Sequence, residues 1–470
     1  MTEKKRRPLL IRLALWVDDR TGAAKTGTST LHKIFPNHWS FLLGEVALYS
    51  FIVLLATGVF LTFFFEASAG QVVYDGSYAP LHGQTVSQAY DSALNITFDV
   101  KAGLLMRQVH HWAALVFIAA IVIHMLRIFF TGAFRRPREM NWVIGLSLFL
   151  MSLGNGFFGY SLLDDQLSGT GIRIAYSVMI SIPLVGPWIA SFLFGGNFPS
   201  DEMIPRMFAI HILIIPAVIL ALLTVHLGML VRHKHTHFAG GGARDDNVVG
   251  ERLWPTYAFK AGGLLFIVTA FLALLGGIFQ INPVWIYGPF QPENVSSASQ
   301  PDWYVGWLEG SLRLMPNWEI RIGDYQVPNP FWGGVLIPGI AFGLLFAWPW
   351  IEARITGDRL EHHVLDRPRD MAWRTAIGIG ALLFFTVMTI AGSDDVLAVK
   401  LDTSVNATLW TLRVLLIVAP LAGGWVTYRV CRELQKRDGP QVDPFLDDVP
   451  PPADPGDPPE AAPDNQEITA

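Results

Sequence analysis

Arg107 to Arg127 read RQVHHWAALVFIAAIVIHMLR, and Arg206 to Gly228 read RMFAIHILIIPAVILALLTVHLG. Each is an apolar run long enough to cross about 30 Å of hydrocarbon at roughly 1.5 Å of helix rise per residue. Each also carries two histidines, and an ionisable group inside such a run needs a partner that lipid cannot supply. His110 and His124 are 14 residues apart, which is about 21 Å of rise and a net rotation of about −40°. His211 and His226 are 15 apart, about 22.5 Å and about +60°. Each pair therefore lies roughly on one helix face, with one histidine toward each membrane surface.

Both runs cross in the same direction, so His110 can meet His211 at one surface and His124 can meet His226 at the other. Imidazole is an ordinary axial ligand of haem iron, and the four positions predict two bis-histidine haems stacked across the bilayer. Two further spans carry Gly44 and Gly58, and Gly145 and Gly159, each pair again 14 residues apart. Their depths match the histidines, and absent side chains leave room for a flat macrocycle between helices. Close helix packing alone explains one such glycine pair; two pairs at the histidine interval favour the haem. His111, about 100° around the helix from His110, cannot reach the same iron and faces a neighbouring helix or a propionate edge. Arg107, Arg127 and Arg206 lie near the ends of these spans, placed either to pair with haem propionates or to anchor at the interface.

The rest of the chain has the same character. Of its 470 residues 51% are hydrophobic and 16% charged, well below the roughly 25% charged of soluble domains. Spans are expected near 41–65, 108–131, 142–162, 207–231, 258–280, 332–351, 373–392 and 408–429. The apolar stretch from Ile172 to Phe194, interrupted by Pro183 and Pro187, reads as one or two interfacial helices. The fold class is thus all-α, a polytopic membrane protein of eight transmembrane helices whose first four form the dihaem bundle. Lys and Arg concentrate in the N-terminal segment and the even-numbered loops, which makes both termini cytoplasmic by the positive-inside rule. The expected parts are a cytoplasmic segment 1–40, the bundle 41–232, a cytoplasmic loop 233–257, four spans over 258–430 with an outer loop 281–331, and a tail 431–470. From Asp438 onward that tail holds nine acids and nine prolines without a Lys or Arg, a composition expected to stay disordered. No apolar stretch with a cleavage site follows the basic start Lys4 to Arg7, so a cleaved signal peptide is not expected. No nucleic-acid-binding signature is found. The single cysteine, Cys431, excludes an internal disulfide and a thiolate-held iron–sulfur cluster.

These strings, with Gly156-Phe-Phe-Gly159-Tyr160 and Pro301-Asp302-Trp303-Tyr304, resemble cytochrome b of the cytochrome bc-type quinol:cytochrome c oxidoreductases, respiratory complex III. The second tetrapeptide is similar to the family's Pro-Glu-Trp-Tyr quinol motif. The 15-residue interval resembles the chloroplast and Gram-positive bacterial branch rather than the mitochondrial one, and the stretch Leu163 to Gly171 looks actinobacterial. The resemblance implies two non-covalent b-type haems, quinol oxidation at an outer site, a Rieske iron–sulfur subunit taking one electron, and an inner quinone site receiving the other. From the actinobacterial branch it further implies menaquinone, a dihaem cytochrome c subunit, a homodimeric complex, a terminal oxidase in supercomplex, and the bacterial cell membrane as location. Proton translocation follows from oxidising quinol on one side and reducing quinone on the other.

The resemblance makes Asp302 the proton acceptor for quinol, with Tyr304 as hydrogen-bonding neighbour and Pro301 shaping the turn. Asp in place of Glu shortens the reach by about 1.5 Å, which a bridging water can make up. Tyr160 is either a wall of the quinol pocket or an interfacial anchor. At the inner surface His233, Lys234, His235, Glu251 and Lys260 are the candidate proton donors, with Ala261 and Val231 standing where mitochondrial relatives have an acid and a histidine. Two other classes compete. A dihaem anchor of a dehydrogenase needs fewer spans and no Pro-Asp-Trp-Tyr loop; a secondary transporter should show inverted repeats, and none is evident.

Overall fold

A computed structural model describes residues 8–294 and 300–438. Among these, eight helices are long and apolar enough to cross a membrane. Spans one to four are Trp39–Thr62, Gly103–Phe130, Glu139–Ser161 and Met203–His233; spans five to eight are Leu253–Ile278, Trp332–Thr356, Ala372–Ala391 and Val405–Arg437. Their outer faces are apolar and exposed, as at Phe266, Ile267 and Phe271 of span five and Ile417 and Leu421 of span eight. That is the pattern of helices solvated by hydrocarbon rather than by water.

Span one packs along span two, and span three along span four, while span five closes against spans one and two. Between the two pairs an apolar layer of Phe51, Phe117, Ile215 and Ile219 fills the middle of the bundle. Phe51 and Phe117 stack there with centroids 5.5 Å apart. Above and below this layer lie two cavities of nearly equal size, about 400 Å³ at the outer end and about 410 Å³ at the inner end. Phe51, Phe117 and Ile219 border both.

Three spans contain a π-helical turn, Ile210–Ile214 within span four and Leu253–Tyr257 and Trp332–Leu336 at the starts of spans five and six. In the first and third a proline follows two residues on, Pro216 and Pro338. Lacking an N–H, it cannot donate to the carbonyl four residues back, and the backbone widens by one residue just before it.

Helices outside the spans position the loops. Gln166–Ile180 and Gly186–Phe194 occupy the stretch interrupted by Pro183 and Pro187 and pack together. Trp303–Leu314, in the loop between spans five and six, lies against span seven, where Gly310 meets the Met388 carbonyl so closely that no side chain fits. Two helices absent from the sequence reading, Leu9–Thr21 and Ala23–Leu31, occupy the N-terminal segment. The helix of the last span runs on to Asp438, past the expected start of the tail at residue 431. The remaining acidic, proline-rich residues lie outside those described.

Candidate functional site

The four span histidines form two pairs, one in each cavity. His110 and His211 line the outer cavity; His124 and His226 line the inner one. The outer rings stand with centroids 6.2 Å apart and planes at 75°. An iron bonded to one nitrogen of each ring at about 2 Å, the ordinary metal–imidazole distance, requires roughly this separation. Nδ1 of His110 is held at 2.9 Å by the Thr57 hydroxyl, and Nδ1 of His211 donates to the Asn155 carbonyl at 3.0 Å. Such partners fix ring orientation and leave the other nitrogen, Nε2, for a metal.

Each of the four glycines faces one histidine. A Cβ at Gly58 would lie 3.3 Å from His110 Cε1, and one at Gly159 only 2.6 Å from His211 Cε1. At the inner level the distances are 3.3 Å from Gly44 to His124 Cε1 and 3.6 Å from Gly145 to His226 Cε1. Arg107 lines the outer cavity and Arg127 the inner one. Among the described residues, Nε and Nη2 of both arginines are buried without a hydrogen-bond partner. Unspent donors on a buried cation suit an anion, and a haem's propionates would supply one. Histidines, glycines and arginines together fit a haem at each end of the bundle.

A family profile described as cytochrome b(N-terminal)/b6/petB matches residues 115–289. The cytochrome bc1 complex cytochrome b subunit of Corynebacterium efficiens is 50% identical over 408 residues, covering 87% of this chain and 75% of that protein. Those of Mycobacterium tuberculosis and Streptomyces coelicolor are 49% identical over 431 residues and 48% over 435. Each covers 92% of this chain, and the matches span 78% and 79% of those proteins. The chain belongs to the cytochrome b subunits of the cytochrome bc1 complex. A solved structure titled hyperthermophilic respiratory Complex III has the same fold, with a TM-score of 0.63 at 20% identity over 88% of this chain and 99% of that one. This cytochrome b is accordingly a multi-pass membrane subunit of an electron-transport oxidoreductase, and haem is its cofactor.

At the outer cavity, Asp302 and Tyr304 from the loop between spans five and six join the wall formed by the bundle. Asp302 occupies the N-cap position of the helix Trp303–Leu314 without a side-chain capping bond, and Pro301 precedes it. Both carboxylate oxygens of Asp302 lie 3.0 Å from Nε2 of His111. Tyr304 is buried, its hydroxyl seated in the notch left by Gly156 of span three, 2.7 Å from where a Cβ would be. Burial, with the Asp302 charge behind it, pushes the Tyr304 phenol well above its usual range, so it stays a hydrogen-bond donor. Tyr160 also lines this cavity, with its hydroxyl 2.6 Å from the position of a Cβ on Gly171. Arg313 anchors the same loop helix by bonding Glu309 and, across the chain, Asp394.

Other candidates lie elsewhere. Arg206 is turned outward, with Nη1 on the Phe192 carbonyl, and is absent from the wall of the outer cavity. Lys260 bonds both oxygens of Glu251 at 2.8 Å and Asn37 at 3.2 Å, and neither Lys260 nor Glu251 lines the inner cavity. His233 is also off that wall; its carbonyl takes a hydrogen bond from Arg138, which does line it. For Lys260 the physical reason is helix register: the wall of span five is made by Leu253, Tyr257 and Ala261, and a residue at 260 points about 100° away from its neighbour at 261. Of the inner-surface candidates, His235 does line the inner cavity. Sequence reading passed over His111 as a partner of Asp302, and it passed over Glu45, Tyr49 and Tyr257 of the inner wall. Glu45 left a signal, being an acid within an apolar span.

Proposed function

We propose that this subunit oxidises quinol at the outer cavity and reduces quinone at the inner one. The reading rests chiefly on one observation, the two histidine pairs at opposite ends of a single bundle with Asp302 on the outer wall. His110 and His211 would hold one b-type haem and His124 and His226 the second, with Arg107 and Arg127 on the propionates. When bound, the two haems supply a path for single electrons from the outer cavity to the inner.

Oxidising a quinol releases two protons and two electrons. The Asp302 carboxylate accepts one proton from the quinol hydroxyl as a general base. His111 holds the carboxylate toward the cavity, and the Tyr304 hydroxyl, on the same wall, offers a hydrogen bond to the quinol ring oxygen. Tyr160 closes the cavity on the span-three side and keeps bulk water from the reacting oxygen. One electron leaves to a Rieske iron–sulfur subunit, because a chain with one cysteine cannot hold a cluster through its own thiolates. A cytochrome c subunit, dihaem in this branch, takes it further. Protons released outside and taken up inside couple the reaction to translocation, against about 2.3 kcal/mol per charge per 100 mV.

The actinobacterial similarity supports menaquinol as the quinol, a homodimeric complex, association with a terminal oxidase, and the bacterial cell membrane with both termini cytoplasmic. The deciding experiment is a pyridine haemochrome assay with a reduced-minus-oxidised spectrum on the purified complex, followed by menaquinol-dependent reduction of cytochrome c. Two extractable b haems per chain and quinol-dependent turnover are expected. A folded chain without haem overturns the reading.

A further inference from the structure

Glu45 is an acid in the first turns of span one, one residue beyond the glycine that faces His124. Its two carboxylate oxygens are gripped separately. Tyr49, one turn along the same helix, donates to Oε2 at 3.2 Å, and Tyr257, from the start of span five, donates to Oε1. All three side chains line the inner cavity together with His124 and His226. The Tyr257 ring packs on Phe35 at 4.6 Å, and Phe35 packs on His235 at 4.3 Å, so the cluster continues to a histidine beyond the end of span four. His235 is itself part of the cavity wall.

A carboxyl in an apolar span, held by two phenols and turned to a cavity, is costly for packing alone. Replacing it with an apolar residue would spare the desolvation. Its position suits a quinone bound beside the inner histidine pair. We propose that Glu45, gripped by Tyr49 and Tyr257, is the acid that protonates the quinone at the inner site, in place of the surface pair Glu251 and Lys260. This rests on the reading of an inner quinone site given above.

Full reduction of the quinone takes two electrons, one from each of two quinols oxidised in turn at the outer site, and two protons. For one of these the Glu45 O–H bond breaks and an O–H bond forms on a quinone carbonyl oxygen. The resulting carboxylate is reprotonated from the cytoplasmic side, where Tyr257 and His235 lie between it and the loops. The second proton follows by the same exchange.

The test uses the whole complex. Glu45→Gln keeps the side-chain shape and a hydrogen-bonding head but removes the acid. Both haems should load, quinol should reduce them at the wild-type rate, and quinone-dependent reoxidation of the inner haem should slow tenfold or more. Glu251→Gln and Lys260→Gln should reoxidise it at the wild-type rate. A second readout is independent of turnover: the redox-difference infrared spectrum of the wild-type complex should carry a carboxylic C=O band, moved to higher frequency in Tyr257→Phe by loss of one hydrogen bond. Unimpaired reoxidation in Glu45→Gln overturns the proposal. So does a wild-type spectrum without the carboxylic band, which decides the matter even where Glu45→Gln fails to load haem. A wild-type complex without haem, by contrast, overturns the underlying reading and not this step.

Discussion

Nε2 of His111 lies 3.0 Å from both oxygens of Asp302, across 191 residues of sequence. The two side chains are mostly buried, at 14% and 20% exposure. The contact links span two, through the neighbour of a proposed haem ligand, to the loop that carries Pro301 to Tyr304. It gives the carboxylate a fixed orientation that a loop residue on its own would lack.

Asp302→Asn is therefore expected to lower quinol oxidation by about 10²-fold, the usual contribution of a positioned general base, with both haems retained. His111→Asn, which leaves the carboxylate in place but removes its partner, should cost less. Steady-state menaquinol:cytochrome c activity, set beside haem content, checks both. An unchanged rate in Asp302→Asn across pH removes it from the proton path.

His211→Ala should leave one b haem per chain and no quinol oxidation, because the cavity that His211 shares with His110 would lose one of the two histidines that would hold the haem. His226→Ala should instead leave the outer haem in place. Haemochrome stoichiometry and the split of the α-band separate the two. Two haems with unchanged spectra in either variant defeat that ligand assignment.

The glycines are not equivalent. A Cβ at position 159 would fall 2.6 Å from His211 Cε1, whereas one at 145 would lie 3.6 Å from His226 Cε1, an ordinary van der Waals contact. Gly159→Ala should displace the His211 ring and weaken or shift the outer haem, while Gly145→Ala should bind both haems with wild-type spectra. Equal effects would show that the space is set by something other than these contacts.

Asp165 gives a pH dependence of stability. It caps the helix Gln166–Ile180 by accepting the Ser168 N–H at 2.7 Å, and its other oxygen is buried without a hydrogen-bond partner. Burial pushes its carboxyl up from 3.8 to about 7. With the folded value above the unfolded one, the folded state binds the proton more tightly. The contribution is thus fully present below about pH 4 and is lost as pH rises through about 7. Asp165→Asn keeps an equally good cap without the buried charge. Its thermal midpoint in detergent should match wild type near pH 4 and exceed it increasingly up to pH 7. A difference that does not vary with pH would contradict this.

Eight spans, the histidine levels and their matching glycines are legible in the sequence because they follow from hydropathy and a 3.6-residue period. Partners brought together by tertiary packing are not. Nothing in the period of span two says that His111 will meet a loop residue, nor that Tyr257 will reach Glu45. Arg206 shows the converse: its distance from His211 suits a propionate partner, yet its guanidinium turns to Phe192. The short N-terminal helices Leu9–Thr21 and Ala23–Leu31 went unread because no span-length apolar run marks them.

The unequal histidine intervals have a local cause that makes a last prediction. A π turn over Ile210–Ile214 contains His211 and accommodates one residue more than the regular helix. Subtracting that residue takes the rotation between His211 and His226 from about +60° to about −40°, the same as between His110 and His124. The 15-residue interval is thus a 14-residue interval with a bulge in it. Deleting Leu213, which is exposed on the lipid face, together with Pro216→Ala to restore the missing N–H, should close the bulge and keep both haems. Deleting Ala119 from span two, where the helix Gly103–Phe130 is uninterrupted, should rotate one histidine by about 100° and cost one haem. Haem content of the two purified deletions is the measurement, and loss of a haem from the first would show that the bulge is needed for more than register.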